Sequence, residues 1–259
     1  MLLSIIIINY NNKAGLLKTI ESLPLDHFNS EKPAFEYIFV DGGSTDGSIE
    51  FLKRKIGSTR KNVKFLFGPD KGIYDAYNKG LKQANGKFIG FVNSGDAVAN
   101  KEIIFDILTC IIDNKDAYGI YGDGTIQSRF KSIWRVRKAG EFKRWKVRLG
   151  WMPPHPLFCI KKTVFENYGN FDTSITIAAD YDLLLRFFYF EKLPTKYLKK
   201  VLVNMEEVTT SGGGIRQIFK TNRQVLSSWK GHTKYFPIWI GIIKPLSKIL
   251  EFRWRSKVV

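Results

Sequence analysis

A chain of 259 residues with 44% hydrophobic and 14% aromatic content has enough apolar mass for a large core, which excludes a disordered protein. The formal charge of +17 is uneven: residues 1–125 hold 15 basic and 15 acidic side chains, residues 126–259 hold 26 and 9. The second half is therefore expected to face something anionic, such as a membrane surface, a phosphorylated substrate or nucleic acid.

Leu2 to Ile8 reads as a first buried strand and not as a signal peptide, having neither a basic start nor a cleavage region. Asn9-Tyr-Asn-Asn12 follows as a polar loop, and Ala14 to Leu23 has helical spacing that stops before Pro24. Tyr37-Ile-Phe-Val-Asp41 predicts a buried parallel strand ending at Asp41. Gly42 and Gly43 let the chain turn, and Ser44, Thr45 and Asp46 can cap a helix running from Ile49 through Ile56. Val63 to Phe67 is a third strand, closed by Gly68-Pro-Asp-Lys-Gly72. Ile73, Tyr77, Leu81 and Ala84 mark one face of the next helix, and Lys87 to Val92 is a fourth strand ending in Asn93-Ser-Gly-Asp96. A helix over Glu102–Ile112 and a strand over Tyr118–Tyr121 continue the alternation, which predicts a mostly parallel, doubly wound α/β sheet.

After Asp123 the rhythm changes. Thr125 to Arg137 is long, basic and strand-like, and Trp145 to His155 is a loop rich in proline at its end. Helices led by Lys161 and starting near Asp180 follow, then a strand over Tyr197–Met205 and the loop Thr209–Gly214. Residues 216–259 form a basic tail with interleaved aromatics, among them Trp229, Tyr235, Phe236, Trp239, Phe252 and Trp254. Such a tail suits an anionic membrane interface, or else an amphipathic helix packed on the protein's own core. The late apolar run Phe236–Ile243 is too short to span a bilayer. Cys110 and Cys159 lie in apolar runs without metal-site spacing and read as core residues of a reducing compartment.

Ligands of open α/β sheets sit at the carboxyl ends of strands, so Asp41 and Asp96 are candidate site residues. Asp41 could meet a ribose hydroxyl or a base N–H, or close a turn with no ligand. Asp96 could hold a hard cation that in turn holds a diphosphate, or cap the following helix. Asp180, preceded by Ala178 and Ala179, could be a general base at a helix start or that helix's N-cap. His155, between Pro154 and Pro156, is a structural histidine or one that reaches phosphate or metal. His27 and His232 have no such context. No glycine fingerprint, phosphate loop or basic recognition helix is present.

Six stretches in order carry a family resemblance: Val40–Ser48, Asp70–Gly80, Phe91–Asp96, His155, Ala179–Leu183 and Ser211–Gly214. Over roughly residues 1–215 the chain resembles the family 2 inverting glycosyltransferases with the A-type (GT-A) nucleotide-sugar fold, and within them the bacterial enzymes of colanic-acid and O-antigen repeat-unit assembly. The resemblance implies that Asn9 and Asp41 bind the nucleoside of a sugar donor, that Lys71, Tyr74, Asp75, Asn78 and Asn93 border its ribose and diphosphate, that Asp96 holds Mg²⁺ or Mn²⁺, and that Asp180 is the catalytic base. It also implies a donor-binding half over 1–125, an acceptor and catalytic half over 126–215, and a membrane-peripheral tail over 216–259. The expected partners are a nucleotide sugar, preferably a UDP-hexose, a lipid-diphosphate-linked saccharide acceptor and the anionic cytoplasmic face of the inner membrane, with no nucleic acid. One departure matters: the usual paired acidic motif reads Asn93-Ser-Gly-Asp96 here, so the acid that often helps bind ribose or metal is missing. The Gln-x-x-Arg-Trp signature of processive synthases is also absent, which points to one sugar per encounter. The rival readings are a GDP-sugar donor, a soluble glycan acceptor, a catalytically dead nucleotide-sugar module and a basic nucleic-acid-binding protein.

Overall fold

The computed structural model describes residues 1–25, 34–57, 62–127, 134–206 and 215–233. Its organising element is a sheet of nine strands. The first half lays down β1 (Leu3–Asn9), α1 (Lys13–Ser22), β2 (Phe35–Asp41), α2 (Ser48–Ile56), β3 (Val63–Phe67), α3 (Ile73–Gln83) and β4 (Phe88–Asn93). These strands pair in parallel in the order β3-β2-β1-β4, with Asn9 in register with Asp41 and Ile8 with Asn93. Parallel pairing requires crossover helices on the faces, and the strands are accordingly apolar on both sides. Along β1, Leu3, Ile5 and Ile7 join a core layer with Leu16, Leu52 and Ile107, while Ile6 and Ile8 join the opposite layer with Tyr77, Phe165 and Leu184.

Beyond β4 the sheet turns mixed. The chain adds β5 (Ala97–Val98), α4 (Ile103–Asp113), β6 (Gly119–Gln127), β7 (Trp134–Arg137) and α5 (Arg144–Val147). It then forms β8 (Cys159–Lys161), α6 (Lys162–Tyr168), α7 (Ala179–Leu184), a π-helical turn (Leu185–Phe190), β9 (Thr195–Glu206) and α8 (Ile215–His232). β8 lies antiparallel between β4 and β6, and β9 runs parallel to β6 but antiparallel to β5. The expected parallel order thus describes the first four strands, and the rest of the sheet is mixed, antiparallel except for the β6–β9 pair. The long basic strand expected over 125–137 is two antiparallel strands, β6 and β7. Residues 144–147 form a helical turn inside the expected loop.

One expectation about the tail is corrected. Trp229 does not face outward: it is 1% exposed, packs on Tyr189 and Phe190, and donates from Nε1 to the Tyr181 hydroxyl at 3.1 Å. α8 is therefore an amphipathic helix on the protein's own core, because its indole finds both apolar walls and a polar partner there. Residues 234–259, with the remaining tail aromatics, lie outside the described residues, as do His27 and the Ser211–Gly214 stretch. No helix among the described residues is long and apolar enough to cross a membrane. Cys110 and Cys159 are buried and unpaired.

Candidate active site

A cavity of about 920 Å³ opens where β1, β2 and β4 end, within the size range of small-molecule sites. Its wall includes Asn9, Tyr10, Gly42, Asp70, Asn93, Asp96 and Glu206. A Cβ on Gly42 would displace the Asp70 carboxylate, which packs directly on this turn. Asp41 sits beneath this wall, fully buried. Its Oδ1 accepts from the Gly43 and Ser44 amides at 3.0 and 2.7 Å, and its Oδ2 from Asn9 Nδ2 and Ser44 Oγ at 2.7 and 2.9 Å. The carboxylate is thereby committed to holding the turn. The atom left open is Asn9 Oδ1, a buried acceptor with no hydrogen-bond partner, which suits a ligand N–H or O–H. Tyr10, 65% exposed, offers a ring face at the cavity's rim. Asp46 closes the same loop cluster, accepting from the Ser48 hydroxyl and from the Lys13 and Ser48 amides at 2.8 and 3.1 Å; the hydroxyl first, and then the amides, hold its carboxyl below the usual range.

On the other side of β1, Asn93 is fully used: Tyr77 donates to its Oδ1 at 2.7 Å, and its Nδ2 donates to Asp96 Oδ2 at 3.0 Å. Asn93 therefore aims Asp96 in place of adding a second charge. Burial pushes the Asp96 carboxyl up to about 6, opposed by donors that include Asn93 and the backbone of Glu206. Glu206, at the end of β9, reaches the same wall, with Oε2 only 3.5 Å from where a Cβ on Gly95 would stand. Its Oε1 is paired with Lys18 Nζ at 2.8 Å. Two carboxylates thus flank the cavity at this end, and among the described residues no larger cluster of metal-ligating side chains occurs. Hard oxygen donors of this kind fit Mg²⁺ or Mn²⁺, provided that a ligand's phosphates and water complete the shell.

The remaining candidates lie on α3 and beyond it. Lys71 is exposed before α3, and Asp75 caps the first turn by accepting from the Lys71 amide at 3.0 Å and Lys79 Nζ at 3.3 Å. Tyr74 and Asn78 project away from the cavity toward the second half. The Tyr74 hydroxyl donates to the Ile177 carbonyl at 2.7 Å, and Asn78 clamps the Phe171 backbone through both amide atoms at 2.9 and 3.1 Å. Asp180 lies at the far side of this contact, partly exposed in the first turn of α7, with Oδ1 accepting its neighbour Tyr181's amide at 2.8 Å. Ala178 is the N-cap residue and contributes no side-chain hydrogen bond, so Asp180 stands inside the first turn and is not its N-cap. His155 sits among Tyr77, Phe91 and Phe171, its Nε2 buried without a partner. Burial holds its pKa below the ordinary value, with the Asp180 charge pulling the other way. Asp182 faces elsewhere, buried against Arg186 Nε at 2.8 Å and His232 Nε2 at 3.2 Å.

Residues 4–171 match the family model described as Glycosyl transferase family 2. The chain belongs to that family. This glycosyltransferase is 27% identical over 184 residues to an uncharacterized glycosyltransferase of Mycobacterium tuberculosis, covering 71% of this chain and 67% of that one. It is 24% identical over 254 residues to an uncharacterized glycosyltransferase of Rickettsia prowazekii, covering 95% and 73%. Its fold superposes on S. aureus TarS 1–349 in complex with UDP at a TM-score of 0.65 with 18% identity, covering 94% and 69% of the chains. The Pyrobaculum calidifontis mannosyltransferase PcManGT in complex with GDP-Man and Mn²⁺ gives 0.63 and 14%, covering 93% and 68%. The glycosyltransferase therefore has the GT-A fold and is a transferase acting on a nucleotide sugar. The sequence gives no role to Glu206 or Tyr10 and marks Tyr77 only as a residue on one face of its helix. Tyr10 was open to detection as the one aromatic in a polar strand-end loop, whereas Glu206 carries no local signal.

Proposed function

We propose that this glycosyltransferase is an inverting hexosyltransferase that takes its sugar from a UDP-hexose, UDP-glucose or UDP-galactose, and places it on a hydroxyl of a lipid-diphosphate-linked saccharide in bacterial surface-polysaccharide assembly. The observation that carries this reading is the polarity of the cavity: an unpartnered buried acceptor, Asn9 Oδ1, at one end and the Asp96 and Glu206 carboxylates at the other. A uracil presents a single ring N–H to such an acceptor, and the Tyr10 ring can cover the base. A divalent cation held by Asp96 and Glu206 would supply charge neutralisation for the leaving diphosphate. Asn93 keeps Asp96 aimed into the cavity, and Tyr77 keeps Asn93 aimed at Asp96.

Asp180 is the base in this reading. It removes the proton from the acceptor hydroxyl as that oxygen attacks the anomeric carbon on the face opposite the departing diphosphate. Displacement from an α-linked donor leaves a β-linkage. The acceptor's own diphosphate and its membrane suit the basic second half, which puts the enzyme on the cytoplasmic face of the inner membrane. A GDP-sugar donor is the second reading, favoured by the likeness to a fold neighbour in complex with GDP-Man.

Calorimetry with UDP-glucose, UDP-galactose and GDP-mannose, each with and without Mn²⁺, tests the donor. Tighter binding of a UDP-sugar with an added gain from Mn²⁺ is expected, and a preference for GDP-mannose would replace the first reading with the second. Transfer to a polyprenyl-diphosphate saccharide, followed by NMR of the new linkage, tests the acceptor and the β-anomer.

A further inference from the structure

We propose that the outer face of the α5 turn, built on Trp145 and Leu149, is a docking surface for an anionic lipid bilayer. The inference rests on the membrane-held acceptor of the proposed function and gives that membrane a place on the enzyme. α5 is followed by tightly wound turns, with the Leu149 amide donating to the Lys146 carbonyl at 2.9 Å and that of Gly150 to Val147 at 2.9 Å. The Arg148 amide also donates to the Arg144 carbonyl at 3.4 Å, a bond between residues four apart, and α-helical spacing of that kind makes Trp145 and Leu149 neighbours. Trp145 is 58% exposed and Leu149 38%, whereas Val147 between them is fully buried. An apolar pair left in solvent by a chain that buries Trp229 fully and Trp151 in part calls for an occupant.

Charge decides which one. From Arg137 to Trp151 there are six cations, Arg137, Lys138, Lys143, Arg144, Lys146 and Arg148, against one acid, Glu141. Lys143, Arg144 and Arg148 are exposed beside the apolar pair. A second copy of a +17 chain would bring the same cations face to face. Indole and leucine ringed by long cationic side chains match the headgroup layer of an anionic bilayer, where the ring sits at the interface and the cations meet phosphate.

The turn is also tied to the chemistry. Tyr181, the residue after Asp180, donates its hydroxyl to the Val147 carbonyl at 2.8 Å. The turn that carries this face is thereby joined to the helix that carries the proposed base.

The test uses the full chain carrying Leu149→Cys labelled with an environment-sensitive fluorophore; the native Cys110 and Cys159 are buried. Vesicles of phosphatidylcholine containing phosphatidylglycerol should shift the label's emission to the blue and allow quenching by lipid-borne nitroxide. Pure phosphatidylcholine should not, and high salt should reverse the shift. Removing the Arg144 and Arg148 charges with glutamine should weaken vesicle binding by about fivefold per cation. An unshifted label on vesicle-bound protein would overturn the proposal, since the chain would then be held elsewhere. A label that shifts on self-association without vesicles would replace the bilayer with a second copy. UDP binding measured on the same labelled protein separates this outcome from failure of the donor reading.

Discussion

Asp41 and Asp96 stand on either side of β1, each at the end of a parallel strand and each followed or preceded by glycine, yet they live in opposite circumstances. Asp41 is wholly buried and accepts four hydrogen bonds, two from backbone amides and two from side chains. Asp96, 8% exposed, accepts from Asn93 and its carboxyl is pushed up to about 6. The first has enough donors to offset its desolvation, so its charge stabilises the turn. The second has burial without enough donors, so it is costly alone and suited to a cation. A strand-end aspartate is thus structural or chemical according to how many N–H groups its own loop supplies.

The largest expected effect lies outside this pair and sharpens it. Asp180→Asn should cut transfer by ~10²–10⁴-fold while leaving UDP affinity unchanged, because a base acts on the proton-transfer step and neither strand-end turn is touched. Single-turnover transfer and calorimetry on one preparation check both halves of the statement. Asp182 is not a ready substitute, being buried in its pairs with Arg186 and His232.

Next is Asp96→Asn. In EDTA, the wild-type native state holds a proton at Asp96 up to about pH 6, above the ordinary carboxylate value of 3.8. Native stability from this group is therefore fully present below about pH 4 and is lost as pH rises through 6, by at most about 3 kcal/mol. Urea midpoints across that range should fall in the wild type and stay flatter in Asp96→Asn. The same variant should lose the gain in UDP affinity that Mn²⁺ gives, and full turnover of wild type in excess EDTA would count against a cation at this end.

Asp41→Asn should behave in the opposite way. It should lower stability by about 2 kcal/mol, seen as a melting point roughly 4–8 °C lower, whatever the metal. If instead it melts like wild type and no longer binds UDP, Asp41 is a ligand contact and the contrast with Asp96 collapses. The smallest effect belongs to Asn9→Ala, which removes the unpartnered acceptor and should weaken UDP by about tenfold or less. Titration calorimetry showing no loss would remove Asn9 from the base-binding end.

The first half of the fold was legible because buried parallel strands are continuous apolar runs punctuated by glycine and polar turns. Val63–Phe67 was placed to the residue, and the strands ending at Asp41 and Asn93 to within one or two. β5 and β8, two and three residues long, were not. Strands that short exist only because distant partners pair with them, as Ala97 does with Asn204. The same reason hid Glu206. For Tyr74 and Asn78, motif position suggested the phosphates, but the backbone around Phe171 and Ile177 competes for their polar atoms. Asp46 was marked as a cap and does accept from Ser48, although Gly47 occupies the N-cap position.

The antiparallel pairing of β5 with β9 has a consequence for the order of assembly. β1 to β4 and their crossover helices can pair from local segments soon after they leave the ribosome. The Ala97–Asn204 and Val98–Val203 pairs span more than a hundred residues, so this closure is slow and comes late in synthesis. Until β9 docks, Glu206 is missing from beside Asp96 and the cavity has only its Asn9 end. On the proposed function, the end of the cavity assigned to the nucleoside forms before the end assigned to the diphosphate, and the leaving-group chemistry is acquired as one of the last acts of folding.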